Sequence, residues 1–285
     1  MLGANGLLGQ RIYEELKSDM TLEVVGASRS NFGTLKFLSL RRNYIKSILN
    51  SVAPNIIINC VGLNPQKSKY MKFENLRLLR VNSHFPRVLA KAALIRDISV
   101  IHISTNGVFN NSQGVCLETT KAIPRTAYGL SKKMGESKLP NVINIRCSFI
   151  GKNEIESSDP YLLEQVIKLP KRSTIQGYTN QKWNGVTTTA LARIIKTFCT
   201  QNIKLPNILH IVPSDVISKY ELLQLISITN SDDPVTIYKH QSTQPSSLEL
   251  ASNNGSLLLK IWRASGYKQV PSIKTLVNEL LNKLK

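Results

Sequence analysis

The amino-acid sequence predicts an α/β fold, a doubly wound parallel sheet followed by a smaller C-terminal lobe. Three observations predict it. Short apolar runs alternate with helical segments through the first half of the chain, and a glycine-rich turn at residues 3–9 leads directly into a helical segment. The alternation then loosens after about residue 150. Such alternation is typical of a parallel sheet that carries helices on both faces.

The elements of the first half follow from their hydrophobic patterns. Apolar runs without polar alternation are typical of strands that are buried on both faces of a sheet, and a 3.6-residue periodicity indicates helices. The predicted strands are Leu22–Ala27, Ile56–Val61, Ser99–Ile103 and Val142–Ile145. The predicted helices are Leu7–Leu16, Arg42–Val52, Asn75–Ile95 and Tyr128–Lys138.

The second half is predicted to form the smaller lobe. It contains helical segments at 160–169 and 186–200, a strand at 208–212, and a capping box at 218–221 that precedes the apolar run 222–228. We therefore divide the chain into a nucleotide-binding domain, 1–150, and a substrate-binding lobe, 151–285, of which residues 186–212 return to the sheet. The lobe is expected to cover the carboxyl edge of the sheet, where open α/β sheets bind ligands.

Composition narrows the class of protein. The chain has 285 residues, of which 42% are apolar, and 37 basic against 18 acidic residues give a net charge of +19. Such a charge attracts anions. Because the basic residues are spread along the chain without RNA-binding motifs or zinc-finger spacing, we favour nucleotide ligands over nucleic acid. No apolar run has membrane-spanning length and no signal peptide is evident, so we expect a cytoplasmic protein that does not bind membranes.

The cysteines and histidines predict no metal site. Both residue types are scattered, without paired metal-ligand spacing, and a cytoplasmic protein needs no disulfides. The four cysteines are Cys60, Cys116, Cys147 and Cys199.

The glycine turn predicts a dinucleotide site of Rossmann type. Gly3, Gly6 and Gly9 are three residues apart, and the helix that follows would direct its amides at a pyrophosphate. Only two residues precede the turn, so we expect either a shortened first strand or a true start upstream of Met1. Arg29 lies just after the predicted strand Leu22–Ala27. An arginine at this position favours the 2′-phosphate of NADP over NAD, although a solvated surface arginine is the alternative.

Thr105, Tyr128 and Lys132 have the layout of a proton donor for carbonyl reduction. A threonine follows an apolar strand, and one helical turn separates the tyrosine from the lysine, so both share a face. We expect the ammonium to lower the pKa of the phenol. The spacing alone is weak, since Tyr13 with Lys17 and Tyr178 with Lys182 share it. Only Tyr128 follows a strand that ends in Ser-Thr.

An ordered set of phrases gives a family resemblance. The chain resembles the extended short-chain dehydrogenase/reductase superfamily, closest to its dTDP-4-dehydrorhamnose reductase-like, sugar-nucleotide-binding family. The phrases that carry the resemblance lie at 3–9, 57–62, 81–86, 103–109, 128–132, 183–188 and 217–223.

The resemblance implies a role for each matching residue. The catalytic trio would be Thr105, Tyr128 and Lys132. The cofactor NADP(H) would contact the glycine turn, the carboxyl end of the predicted strand Ile56–Val61, one asparagine of the helix predicted at 75–95, and two members of the trio. These residues are Gly3, Asn5, Gly6, Leu7, Leu8, Gly9, Cys60, Val61, Gly62, Asn82, Tyr128 and Lys132. The substrate would contact Ser104, Asn106, Trp183 and Asn184. For Asn82 a helix-surface amide, and for Trp183 simple packing, are equally good interpretations.

The implied activity is that of an NADP-dependent oxidoreductase that reduces a keto sugar nucleotide of the 4-keto-6-deoxy type, in surface polysaccharide biosynthesis. A sugar-nucleotide epimerase and a non-catalytic NADP-binding regulatory subunit are the alternatives, and relatives often form homodimers. The chain departs from the family pattern at Asn106 and Gly107, and lacks an acidic residue near Ser39 and an Asp-Arg pair near Ser247. The sugar nucleotide is therefore left open.

Overall fold

The computed structural model describes residues 1–29, 34–37, 39–64, 74–152, 161–170, 172–227 and 235–284. Its helices are α1 Leu7–Lys17, α2 Arg42–Val52, α3 Glu74–Leu78, α4 Phe85–Leu94, α5 Ala127–Gly135, α6 Leu162–Ile167, α7 Thr188–Thr200, α8 Lys219–Ser227, α9 Gly255–Ala264 and α10 Ile273–Asn282. A π-helix, Leu79–His84, joins α3 to α4, and a 3₁₀ helix spans Asn106–Val108.

The strands are β1 Ala27–Ser28, β2 Leu35–Lys36, β3 Ile56–Asn59, β4 Ser99–Ile103, β5 Val115–Cys116, β6 Val142–Arg146, β7 Phe149–Ile150, β8 Thr174–Tyr178, β9 Lys182–Trp183, β10 Val186–Thr187, β11 Ile208–His210, β12 Ile217–Ser218, β13 Thr236–His240 and β14 Glu249–Leu250.

The central sheet is parallel, which confirms the predicted α/β class. Its order is β11-β6-β4-β3, and β11 joins it beside β6 although it lies after residue 150. Leu2 extends the sheet by single parallel bridges to Ala27 and Asn59, and so connects β3 to the β1-β2 pair. The division of the chain into two domains stays a prediction.

Two predicted elements differ from the structure. The strand predicted at Leu22–Ala27 is reduced to β1, because Met1 and Leu2 are the residues that pair beside it. An apolar groove of about 290 Å³ lies along Leu22–Val25 and Ile56–Ile58. The helix predicted at 75–95 is interrupted by the π-helix, which hydrophobic periodicity does not reveal. Pro160 and Ile228, at the ends of two predicted segments, lie outside the described residues.

Alternate side chains of the sheet enter two separate cores, because successive residues of a strand point to opposite faces. Ile58 and Ile101 pack with α1 and α7, whereas Ile57 and Val100 pack with α2 and α4. A third core lies among residues after 149. It includes Leu163, Leu222, Ile226, Ile273 and Val277.

Helix α5 approaches its neighbours closely at two glycines. A Cβ atom on Gly135 would lie 2.0 Å from the carbonyl oxygen of Asn82 in the π-helix, and one on Gly129 would lie 2.0 Å from the carbonyl oxygen of Gly107. Real Cβ atoms do not come this close to backbone, so both positions require glycine. These two contacts fix the height of α5 over the edge of the sheet.

We expect the substitution Gly135→Ala to destabilise the protein by about 1–3 kcal/mol, because the added methyl group must displace backbone in a packed interior. Urea unfolding of both proteins gives the difference. Gly255→Ala is the matched control: a Cβ there meets nothing within 4 Å, and the residue is helical. Alanine at residue 255 should therefore increase the stability of the protein or leave it unchanged. Equal stability of Gly135→Ala and wild type would contradict the close packing of α5.

Candidate active site

A cleft of about 660 Å³ lies at the carboxyl ends of β3, β4 and β6. Residues 60–64, 103–106 and 147–151 follow those strands and line it from the side of the sheet. Residues 161–162, 181–183, 219 and 222 line it from the second half of the chain. This is the edge at which open α/β sheets bind ligands.

The glycine turn forms part of one wall. Gly3 has a φ of +80°, and a Cβ atom on it would lie 2.9 Å from the backbone of Cys60 and Val61. A Cβ atom on Gly9 would lie 2.0 Å from the carbonyl oxygen of Gly3. The turn therefore rests directly on the segment after β3, and α1 begins with its backbone against the turn. This is the cradle that a pyrophosphate requires.

The predicted cofactor residues divide into two groups. Those that line the cleft are Gly6, Leu7, Leu8, Gly9, Cys60, Val61, Gly62, Tyr128 and Lys132. Those outside its lining are Gly3, Asn5, Arg29 and Asn82. Gly3 and Asn5 lie within the turn, while Arg29 is exposed just beyond β1.

Two buried asparagines hold the segment after β3. The Asn82 carboxamide accepts a hydrogen bond from the Leu63 amide at 2.8 Å and donates to the Leu63 carbonyl at 3.0 Å and to the Ser131 hydroxyl at 3.1 Å. Asn59 accepts from the amide of Val61 at 3.1 Å. Both side chains are fully buried. Asn82 is thus neither a surface amide nor part of the cleft wall; it couples this segment to α5.

Thr105 and Tyr128 meet at the centre of the cleft. The Thr105 side chain accepts a hydrogen bond from the Gly107 amide at 3.1 Å, which fixes the hydroxyl at the start of the 3₁₀ helix. Burial raises the pKa of Tyr128, and a hydrogen bond with Thr105 lowers it in part. The predicted lowering of this pKa by Lys132 is therefore wrong for the protein alone. The phenol keeps its proton at neutral pH.

The side chain of Lys132 is directed at the end of β4. Its ammonium donates to the Ile103 carbonyl at 2.6 Å, and the side chain is 4% exposed. Burial lowers the pKa of Lys132 to about 8, although Glu136 on the next helical turn raises it. This buried cation thus donates to a neutral carbonyl oxygen, so it gives the cleft a positive potential.

Glu136 and Arg146 form a buried ion pair behind Ser104. Arg146 makes two hydrogen bonds to the carboxylate, at 2.8 and 2.7 Å, and the Ser104 hydroxyl donates to the same carboxylate at 2.7 Å. Ser104 lines the cleft, yet its proton is directed away from it. The sequence analysis missed this pair because Glu136 directly follows α5 and Arg146 ends β6, and no local motif joins them.

The remaining predicted substrate residues lie in different surroundings. Asn106 and Trp183 line the cleft, and the indole of Trp183 donates to the Ser148 hydroxyl at 2.9 Å. Asn184 does not line it: its carboxamide donates to the Leu250 carbonyl at 2.6 Å and accepts from the Leu250 amide at 3.3 Å. Asn184 therefore ties the loop after β9 to β14.

Several lining residues were missed by the sequence analysis. Lys182 was considered only as the partner of Tyr178, and Lys219 only as part of a capping box. The fold brings both to the cleft from distant positions, together with Gln181 and Tyr161. Of the pair Tyr178 and Lys182, only the lysine lines the cleft.

The cleft thiols are protonated. Burial raises the pKa of Cys60 and of Cys147 to about 12. Thiols of that pKa are poor nucleophiles at neutral pH. Within the described ranges, no group of three or more histidine, cysteine or acidic side chains is placed to hold a metal ion. No helix in the same ranges is both long and apolar enough to cross a membrane.

Comparisons with known proteins agree with this architecture. The chain is 24% identical to methionine adenosyltransferase 2 subunit beta of Danio rerio over 77% of this chain and 70% of the relative. It is 29% identical to dTDP-4-dehydrorhamnose reductase of Aggregatibacter actinomycetemcomitans over 52% of this chain, and it spans about half of that relative, 49%.

The fold is shared with solved reductases. A crystal structure of dTDP-4-dehydrorhamnose reductase from Bacillus anthracis in complex with NADP superposes with a TM-score of 0.80, at 19% identity, over 100% of this chain and 98% of that one. Residues 1–285 match the RmlD substrate binding domain family throughout. The chain belongs to that family.

Proposed function

We propose that this protein is an NADP-dependent reductase of a keto sugar nucleotide, of the 4-keto-6-deoxy type, that serves surface polysaccharide biosynthesis. One observation carries the proposal. Thr105 and Tyr128, whose hydroxyls share a hydrogen bond, and Lys132 all line the cleft that the glycine turn also lines. A proton donor and a nucleotide cradle are therefore held in one site.

The residues present fit NADP. The cradle at Gly3, Gly6 and Gly9 has no room for a Cβ atom at its first and last glycines, and Arg29 is exposed beyond β1 for a 2′-phosphate. When bound, NADPH supplies the hydride. Gly6–Gly9 would hold its pyrophosphate, Cys60–Gly62 its nicotinamide ribose, and Lys132 the ribose hydroxyls.

The chain supplies the proton and the orientation. Tyr128 donates its proton to the carbonyl oxygen of the substrate as charge develops there, and the raised pKa keeps that proton available at neutral pH. Thr105 hydrogen-bonds the same oxygen. Lys132, whose ammonium donates to the Ile103 carbonyl at 2.6 Å, contributes through the ribose hydroxyls of the cofactor rather than through the phenol.

A non-catalytic NADP-binding regulatory subunit is the second candidate. The Danio rerio relative, which is named as a subunit, aligns with 77% of the chain, against 52% for the Aggregatibacter reductase. An epimerase that uses bound NADP transiently is the third. A screen of the protein with NADPH and dTDP-4-keto-6-deoxy sugars separates the three candidates. Net loss of NADPH supports the reductase, and isomerisation of the sugar without net loss of NADPH supports the epimerase. Thermal stabilisation by NADP without turnover supports the subunit.

We also propose that the protein works in the cytoplasm. All four cysteines are free thiols, two of them buried, which suits the reducing cytoplasm. A homodimer stays a prediction.

The substitution Tyr128→Phe removes the proton donor and leaves the ring. We expect keto-sugar reduction to fall by about 10²- to 10⁴-fold, with NADP affinity within about twofold of wild type. Steady-state turnover and NADP titration measure the two effects. The matched control is Tyr178→Phe, which has the same spacing to a lysine but lies outside the cleft lining. Undiminished turnover by Tyr128→Phe would overturn the mechanism.

The buried ammonium of Lys132 predicts a dependence of stability on pH. Burial lowers its pKa from 10.5 to about 8. Between these values the unfolded chain retains a proton that the folded protein releases, so the cost of burying the charge disappears as pH rises. Relative to Lys132→Met, wild type should gain stability, on the order of 1–3 kcal/mol, as pH increases from about 8 to about 10.5.

Urea unfolding of both proteins at a series of pH values measures this gain. Other titrating groups are common to the two proteins and cancel in the difference. A difference that stays constant, or that moves against wild type with rising pH, would contradict a desolvated Lys132.

A further inference from the structure

The lining of the cleft is cationic. Lys132, Lys182 and Lys219 line it, and among the residues that the structure describes no aspartate or glutamate does. A wall with cations and without carboxylates attracts an anionic ligand. The question is which lysine remains available for such a ligand.

Two of the three lysines already have a role or a charge partner. Lys132 is buried against the Ile103 carbonyl. Lys182 forms an ion pair with Glu249, so its charge is neutralised within the protein. Neither is therefore an available cation on the wall that the second half of the chain provides.

Lys219 is different from both. Its ammonium donates to the side-chain oxygen of Gln181 at 2.7 Å, and this partner is neutral. Burial lowers the pKa of Lys219, and no described carboxylate raises it. Glu221, the acidic residue in the same helix turn, accepts hydrogen bonds from the amide and the hydroxyl of Ser218, at 2.7 and 2.8 Å. Lys219 is thus a partly desolvated cation that has no carboxylate partner among the residues that the structure describes.

The fold holds Lys219 at a defined position. β12 pairs antiparallel with β9, with Ser218 opposite Lys182, and the Lys219 amide donates to the Gln181 carbonyl at 2.9 Å. The Gln181 side-chain nitrogen donates to the Ser242 hydroxyl at 3.0 Å and to the Gln244 carbonyl at 3.1 Å. These bonds orient the Gln181 oxygen towards the ammonium. The lysine stem is therefore restrained before any ligand binds.

We propose that Lys219, positioned by Gln181, binds the diphosphate of a nucleotide-linked substrate. This inference rests on the proposed function, because it assigns the second ligand of the same cleft. A diphosphate carries the charge that Lys219 lacks, and its oxygens accept charge-assisted hydrogen bonds from an ammonium. The pyrophosphate of NADP has its own cradle in the glycine turn, which belongs to the opposite wall.

Isothermal titration of the NADP-loaded protein with dTDP, and in parallel with UDP, tests the assignment. We expect Lys219→Ala to weaken binding of the preferred nucleotide by about 10- to 100-fold, the effect of losing a hydrogen bond to a charged group. Lys219→Arg keeps the charge and should remain within about fivefold of wild type. NADP affinity should be unchanged in both variants. Lys260→Ala, at an exposed lysine of α9 outside the cleft lining, is the matched control.

The outcomes separate this proposal from the reductase proposal. Undiminished dTDP and UDP affinity in Lys219→Ala, an equal loss of NADP affinity, or wild-type protein that binds neither nucleotide would each overturn the role of Lys219. Nucleotide binding that depends on Lys219 without any keto-sugar turnover would leave this role intact and overturn the reductase. Turnover with unaltered nucleotide affinity in Lys219→Ala would do the reverse.

Discussion

The site depends on how closely α5 packs against the edge of the sheet. Gly129 lies on the carbonyl of Gly107, and Gly135 lies on the carbonyl of Asn82, each with no space for a methyl group. Because Tyr128 precedes the first contact and Lys132 lies between the two, both predicted catalytic side chains come from the part of the helix that is held closest. A displacement of α5 by one methyl diameter would separate the hydroxyls of Thr105 and Tyr128, and would break the hydrogen bond from Lys132 to the Ile103 carbonyl.

The same packing explains why the charged groups behind the site have polar partners. A helix this close to the sheet excludes water, so a charged group beneath it needs a partner. Glu136 accepts two hydrogen bonds from Arg146 and a third from the hydroxyl of Ser104. Lys132 instead meets a backbone carbonyl, which satisfies one donor and leaves its charge uncompensated at contact distance. The site thereby retains a net positive potential towards the cleft, consistent with anionic ligands.

Much of this could be predicted from the sequence, because the strands, the glycine turn and the trio are local signals. The direction in which the Tyr128 pKa is shifted could not be predicted. A spacing of four residues places Tyr128 and Lys132 on one face of a helix, but it does not fix the position of the ammonium at the end of the lysine side chain. Lys132 bends to Ile103, so burial decides the pKa of the phenol. Asn82 was ambiguous for a related reason: the π-helix changes which residues of the 75–95 segment are buried, and no hydrophobic pattern marks the change. Lys219 and Asn184 depend on contacts between β9, β12 and β14 that span 30 residues or more of sequence.

The two walls of the cleft recognise anions by different physics. The glycine turn offers backbone amides and close approach, and its residues bring no side-chain charge. Recognition there depends on shape and hydrogen-bond geometry, which salt screens little at contact distance. Lys219 offers a side-chain charge at a solvent-accessible position, where screening is stronger. Affinity for a ligand of the glycine wall should therefore depend weakly on ionic strength and affinity for a ligand of the lysine wall strongly. One cleft can in this way hold two phosphate-bearing ligands without exchanging their positions.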